Sequence, residues 1–133
     1  MSSVISGSGA TLDSLTVNGA VTAATGVGAT NTDTDVSGTV TLDFASYQNF
    51  VLTLTDNVTL ANPTTEQVGQ SGFIIFIQDA TGARTVSLGS EYKTSTGGAG
   101  LTLTTAADAI DFVPYAVTAS GSILLGKPQL NFA

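Results

Sequence analysis

Gly72-Phe-Ile-Ile-Phe-Ile-Gln-Asp-Ala-Thr-Gly-Ala-Arg-Thr-Val-Ser-Leu88 contains the longest unbroken apolar run of the chain, Phe73 to Ile77, and every residue of that run is β-branched or aromatic. A strand apolar on both pleat faces needs cover on both sides, which predicts a central place in its sheet. Asp79-Ala-Thr-Gly-Ala83 supplies turn residues, with Gly82 free to take a positive φ. Residues 84–88 alternate again and are expected to run back beside the first strand as a hairpin. Arg84 is expected to pair with Asp79 across that hairpin, or between subunits.

Working outward, the alternation continues on both sides. Val40, Leu42 and Phe44 share one face of a predicted strand, and Phe50, Leu52 and Leu54 share one face of the next. Asp56-Asn57 reads as a turn before a short strand, Val58-Thr-Leu60. Asn62-Pro-Thr-Thr-Glu66 reads as one helical turn with Asn62 as cap and Pro63 in the first helical position. After the central stretch, residues 90–100 form a loop and residues 101–104 alternate. Residues 108–117 make a strand whose Pro114 suits an edge or a bulge. Ser120-Gly121 turns the chain, residues 122–125 return, and residues 129–133 are a tail. About eight short strands predict an all-β domain, a β-sandwich or jelly-roll-like fold with antiparallel pairing, over residues 38–133.

Residues 1–37 differ: they are rich in Gly, Ala, Ser and Thr and contain no aromatic residue. Leu12-Asp-Ser-Leu-Thr-Val17 followed by Asn18-Gly19 and Val21 carries a short hairpin signal. Residues 23–35 have almost nothing to bury and read as an extended linker, so residues 1–37 are expected to be an arm reaching on the order of 100 Å at ~3.3 Å per residue. Its apolar positions Leu12, Leu15, Val17 and Val21 are the candidates for contact with another protein.

Composition narrows the chemistry. Ten acidic and three basic residues give a net charge of −7, which argues against binding a nucleic-acid backbone. Cysteine and histidine are both absent, so Ser/His and Cys/His catalysis, disulfides and the common zinc sites are ruled out. No apolar run approaches the ~20 residues of a membrane span, and the N-terminus lacks the marks of a signal peptide. Asp108 and Asp111 are the nearest thing to a catalytic carboxylate pair, but three apart on a strand they face opposite sides. Asp33-Thr-Asp35 lacks the Gly and Glu of a calcium loop, Asn57-Val-Thr59 is a commonplace glycosylation match, and Tyr47, Tyr92 and Tyr115 read as core. Neither an enzyme, a cofactor nor a metal is expected.

One order of residues carries a resemblance. Asp43-Phe44, Tyr47, Phe50, Leu52-Thr-Leu-Thr55, Val58-Thr-Leu60, Asn62-Pro63, Gly69-Gln-Ser-Gly72, Gln78-Asp79 and Gly82-Ala-Arg84-Thr85 follow one another here. This order resembles virion proteins of tailed bacteriophages, marine and cyanobacterial ones especially. Tyr92-Lys93, the segment 101–104, the strand from Asp108 and the ending Leu130-Asn131-Phe132 extend the resemblance over residues 38–133. Gly100 stands where such sequences often have proline, and Ala119-Ser-Gly-Ser122 replaces an Asp-Gly-Thr turn. The resemblance implies a structural virion component. The first reading is a capsid decoration (cement) protein on the capsid exterior, a homotrimer bound to the major capsid protein through the arm. The alternative is a receptor-binding tail or head fibre subunit whose loops at residues 90–100 or 119–122 meet a host cell-surface glycan.

Overall fold

The computed structural model describes residues 26–95 and 100–132, all of them strands, turns and loops without a helix. Eight strands follow in order: β1 (Thr30–Val40), β2 (Asn49–Leu60), β3 (Ser71–Gln78), β4 (Val86–Leu88), β5 (Tyr92–Thr94), β6 (Ile110–Ala119), β7 (Ser122–Leu125) and β8 (Gln129–Phe132). They join in the order β1-β2-β3-β6-β7-β5, with β4 paired to β2 and β8 paired to β6. The all-β, sandwich-like architecture expected from the alternation is present, and β3 is central, between β2 and β6.

The pairing is mixed. β1–β2, β2–β3, β2–β4 and β5–β7 are parallel, whereas β6 is antiparallel to β3, β7 and β8. The long strand β2 explains much of this. Its first half, Phe50 to Leu54, pairs with β3, and its second half, Val58 to Leu60, pairs with β4 along the same edge. No turn interrupts it at Asp56-Asn57. Instead Asn57 Oδ1 accepts from the backbone N and Oγ1 of Thr85, both at 3.0 Å, where β4 approaches. The expected hairpin between β3 and residues 84–88 therefore does not form. The Gln78 side chain is the cause: its Oε1 accepts from Arg84 N at 2.8 Å and its Nε2 donates to Arg84 O at 2.9 Å. Those two bonds occupy the backbone of Arg84 as a paired strand would, and the chain passes on to β2.

Parallel neighbours need returns, and the returns line the core. Residues 41–48 lead from β1 back to the start of β2 and bury Leu42 and Phe44. Phe44 packs edge-on against Phe50 at 5.1 Å and Tyr115 at 5.3 Å. Burying a side chain of this size stabilises the fold by roughly 1.5–3 kcal/mol. The strand expected over residues 39–44 thus ends at Val40, while its apolar residues still point inward. Residues 61–70 form the second return, with Pro63 buried and no helical turn.

Three further expectations change. The sheet begins inside the segment read as an arm, since Thr30 to Ser37 belong to β1 and Asn31, Thr32 and Asp33 pair with β2. Residues 129–132 are a strand rather than a tail. β6 is central despite Pro114, whose carbonyl accepts from Gly126 N at 2.8 Å where β7 ends and β8 begins. The missing proline N–H falls at that handover, where no ladder bond is lost. The outer face of β3 and β6 is apolar too: Phe73 stacks on Phe112 at 5.5 Å, and both are only half-buried, as are Ile75, Ile77 and Ile110.

Candidate functional site

The described part of the first loop expected to meet a receptor, residues 90–95, lies beside the second, residues 119–122. Gly89 N donates to Leu60 O at 2.7 Å, Asn62 Nδ2 donates to Ser90 Oγ at 3.0 Å, and Asn62 Oδ1 accepts from Glu91 N at 3.0 Å. Ile123 N donates to Glu91 O at 2.9 Å, which places β5 beside β7. Glu66 closes the group, with its Oε1 accepting from Gly121 N at 3.1 Å and Ser120 Oγ at 3.3 Å. The Gly121 bond, first among its partners, holds the Glu66 carboxyl below its ordinary range. Gly121 has φ 70° in the turn between β6 and β7, a left-handed conformation that glycine takes at no steric cost. Sequence reasoning missed Asn62 and Glu66 because both sat in the supposed helical turn.

Beside this cluster two clefts open next to β5. One, of about 470 Å³, is lined by Ser90, Lys93 and Thr94 among others. The second, of about 270 Å³, lies between Thr94, Ser95 and Thr102 on one side and Lys127 and Leu130 on the other. Lys93 Nζ donates to Ser90 O. Two of the three cations of this acidic chain, Lys93 and Lys127, therefore stand at these mainly apolar clefts, together with the hydroxyl-bearing Ser90, Ser95 and Thr102. Such a lining can hydrogen-bond polyols and attract a carboxylated or phosphorylated one.

The remaining candidates fall in different places. Leu12, Leu15, Val17 and Val21 lie outside the described residues. Asp79 and Arg84 form an ion pair within one chain, Nη2 to Oδ2 at 2.8 Å, with Nε 3.2 Å from the same oxygen. Asp79 also accepts from Thr81 N at 3.1 Å and Gly82 N at 2.8 Å, so one carboxylate both shapes the turn and holds the arginine. The Arg84 bond, first, keeps the Asp79 carboxyl below its usual range, and the same bond raises Arg84. The two side chains are 19% and 23% exposed, a setting in which such a pair is worth little by itself.

Tyr92 and Tyr115 are in the core and Tyr47 is half-buried. Tyr115 OH donates to Gln48 O at 2.5 Å, and burial pushes its phenol up to about 12. Asp33 Oδ1 accepts from Asp35 N at 3.0 Å, and Asp35 Oδ1 accepts from Thr55 Oγ1 at 2.8 Å, on β1 rather than in a linker. Asp108 and Asp111 point apart: Asp108 is exposed at φ 58°, whereas Asp111 is 2% exposed. Asp111 clasps three donors, Thr104 N at 2.6 Å, Thr104 Oγ1 at 2.8 Å and Asn131 N at 2.8 Å. That structural role was not visible in the sequence.

Residues 37–122 match the family described as "Putative phage tail fibre C-terminal domain", and the chain belongs to that family. It is a phage structural protein and a component of the virion. Neither a curated protein nor a solved structure matches the chain. The family favours the fibre alternative over the decoration-protein reading placed first.

Proposed function

We propose that this chain is the host-facing domain of a tail-fibre subunit, a non-enzymatic module that binds a cell-surface glycan through the clefts at β5. The family match over residues 37–122 carries the reading. The placement of Lys93 and Lys127 at clefts whose lining is mainly apolar, with Ser90, Ser95 and Thr102 beside them, supports an anionic glycan. The half-exposed apolar face of Phe73, Ile75, Ile77, Ile110 and Phe112 supports assembly with copies of the same chain, a trimer being the expected state.

Copy number in purified virions, measured by mass spectrometry against the major capsid protein, tests the placement. A fibre subunit is far rarer than the capsid protein; parity with it would overturn the fibre reading and reinstate the decoration protein. Competition tests the recognition. The purified chain is expected to slow phage adsorption to host cells, and a Lys93→Ala, Lys127→Ala variant to do so poorly. Equal competition by both would remove the clefts from the binding surface.

A further inference from the structure

Glu66 and Glu91 approach the Ser120-Gly121 turn from separate loops. Glu66 spends Oε1 on Gly121 N and Ser120 Oγ, which leaves its Oε2 buried without a hydrogen-bond partner. Glu91 is fixed through its backbone to Asn62 and Ile123, and its Oε1 lies 3.6 Å from where a side chain on Gly121 would start. Its Oε2 is also buried and unpartnered. The third group is Tyr92, 5% exposed, whose hydroxyl has no partner either. Burial, first, and then the charges of Glu91 and Glu66 hold that phenol above its ordinary range, so both carboxylates bear on the hydroxyl.

Among the described residues, no cation forms an ion pair with either carboxylate. The ion pairs among the described residues both belong to Arg84, and Lys93 Nζ is engaged by Ser90 O. Two carboxylate oxygens and a phenol oxygen shut away from water without partners are costly unless something positive stands among them.

We propose that Glu66 Oε2, Glu91 Oε2 and the Tyr92 hydroxyl form a binding site for an oxygen-seeking divalent cation of the calcium class, which ties the 61–70 return to the segment that enters β5. All three donors are hard oxygens, and the chain has no His or Cys to favour zinc. Donors on two separate segments suit the irregular shell of calcium better than the strict octahedron of magnesium. With only two carboxylates, affinity falls in the weak extracellular range, about 10⁻⁴–10⁻³ M. Glu66 stands far in sequence from the adjacent Glu91 and Tyr92, so no spacing motif announces the site. The site is independent of the fibre reading: copy number can fail while calcium binding holds.

Terbium tests it, because that ion takes calcium sites and is excited by a nearby tyrosine, and the chain has no tryptophan. The full chain in chelator-treated buffer is expected to give saturable, tyrosine-sensitised terbium emission that calcium displaces. Calcium is expected to raise the Tm and EDTA to restore it. The Glu66→Gln, Glu91→Gln variant is expected to lose both responses, which separates this site from diffuse binding to an acidic surface. Should that variant fail to fold, the single substitutions and the wild-type comparison of calcium with EDTA give the same reading. A Tm identical in calcium and EDTA without sensitised emission would overturn the site. A variant that responds like the wild type would do the same, and an equal response to magnesium would overturn the calcium class.

Discussion

Replacing Asp111 by alanine should loosen the C-terminal edge of the sheet and lower global stability together. β8 carries one extra residue against β6, since Ile110 faces Phe132 and Phe112 faces Gln129. That bulge puts Asn131 at φ 58°, and the Asp111 carboxylate catches the Asn131 amide so presented. The same carboxylate holds Thr104 by backbone and side chain. Bonds to a charged acceptor are worth ~1.5–3 kcal/mol each. Asn131 is exposed and Thr104 half-buried, so water recovers part of the loss, and the net cost is about 2–4 kcal/mol. With an m-value of ~1–3 kcal/mol/M in urea, the midpoint should fall by about 1–2 M. Equilibrium unfolding of the full chain at one fixed concentration reads that shift. Hydrogen exchange should show the amides of Gln129–Phe132 losing protection before those of β3. A loss below about 1 kcal/mol with unchanged exchange in β8 would refute the clasp.

Gly82→Ala should destabilise the fold, because φ 73° disfavours a side chain by ~1–2 kcal/mol and the new Cβ would stand 2.6 Å from Thr105 O; thermal unfolding measures it. Asp79 has a folded-state pKa below its ordinary 3.8, so its pairing with Arg84 stabilises the fold above that pH and ceases to do so as pH falls through the lowered value. The Tm deficit of Arg84→Met should therefore be constant near neutrality and shrink in acid, and a deficit that grows in acid would reverse the argument. Tyr115 has the opposite sign. Its phenol is raised from 10.0 to about 12, so its contribution is complete below pH 10 and disappears as pH rises toward the folded value. Tyr115→Phe should cost about 1 kcal/mol at neutral pH by losing the bond to Gln48 O, and that deficit should shrink as pH rises above 10, because the variant has no phenol to titrate.

Period-two alternation made inward residues legible: Leu42, Phe44, Phe50, Leu52 and Leu54 are all buried. Strand partners were another matter, because alternation marks a face and not a neighbour. Gln78 reads as an ordinary strand-end residue, yet its amide diverts the chain from a hairpin into a parallel ladder. β1 escaped notice because its outward positions are Thr, Asp and Ser and only Val36 is fully buried, so its sequence looks like a linker. At the candidate site, the residues around Ser90 and Gly121 stood out as loops. The side chains that join them, Asn62 and Glu66, stand far away in sequence and follow no pattern.

The parallel ladder between β1 and β2 also bears on mechanics. Its register runs from Thr30 opposite Asn49 to Val40 opposite Leu60. A pull on the chain ahead of Thr30 that acts along the axis of β1 loads this ladder in shear. The strand must slide past all its partners at once and cannot be peeled away one residue at a time. Resistance to such a force is governed by the unfolding rate rather than by equilibrium stability. A domain entered in this way can hold under brief tension well beyond what its modest free energy of folding would suggest.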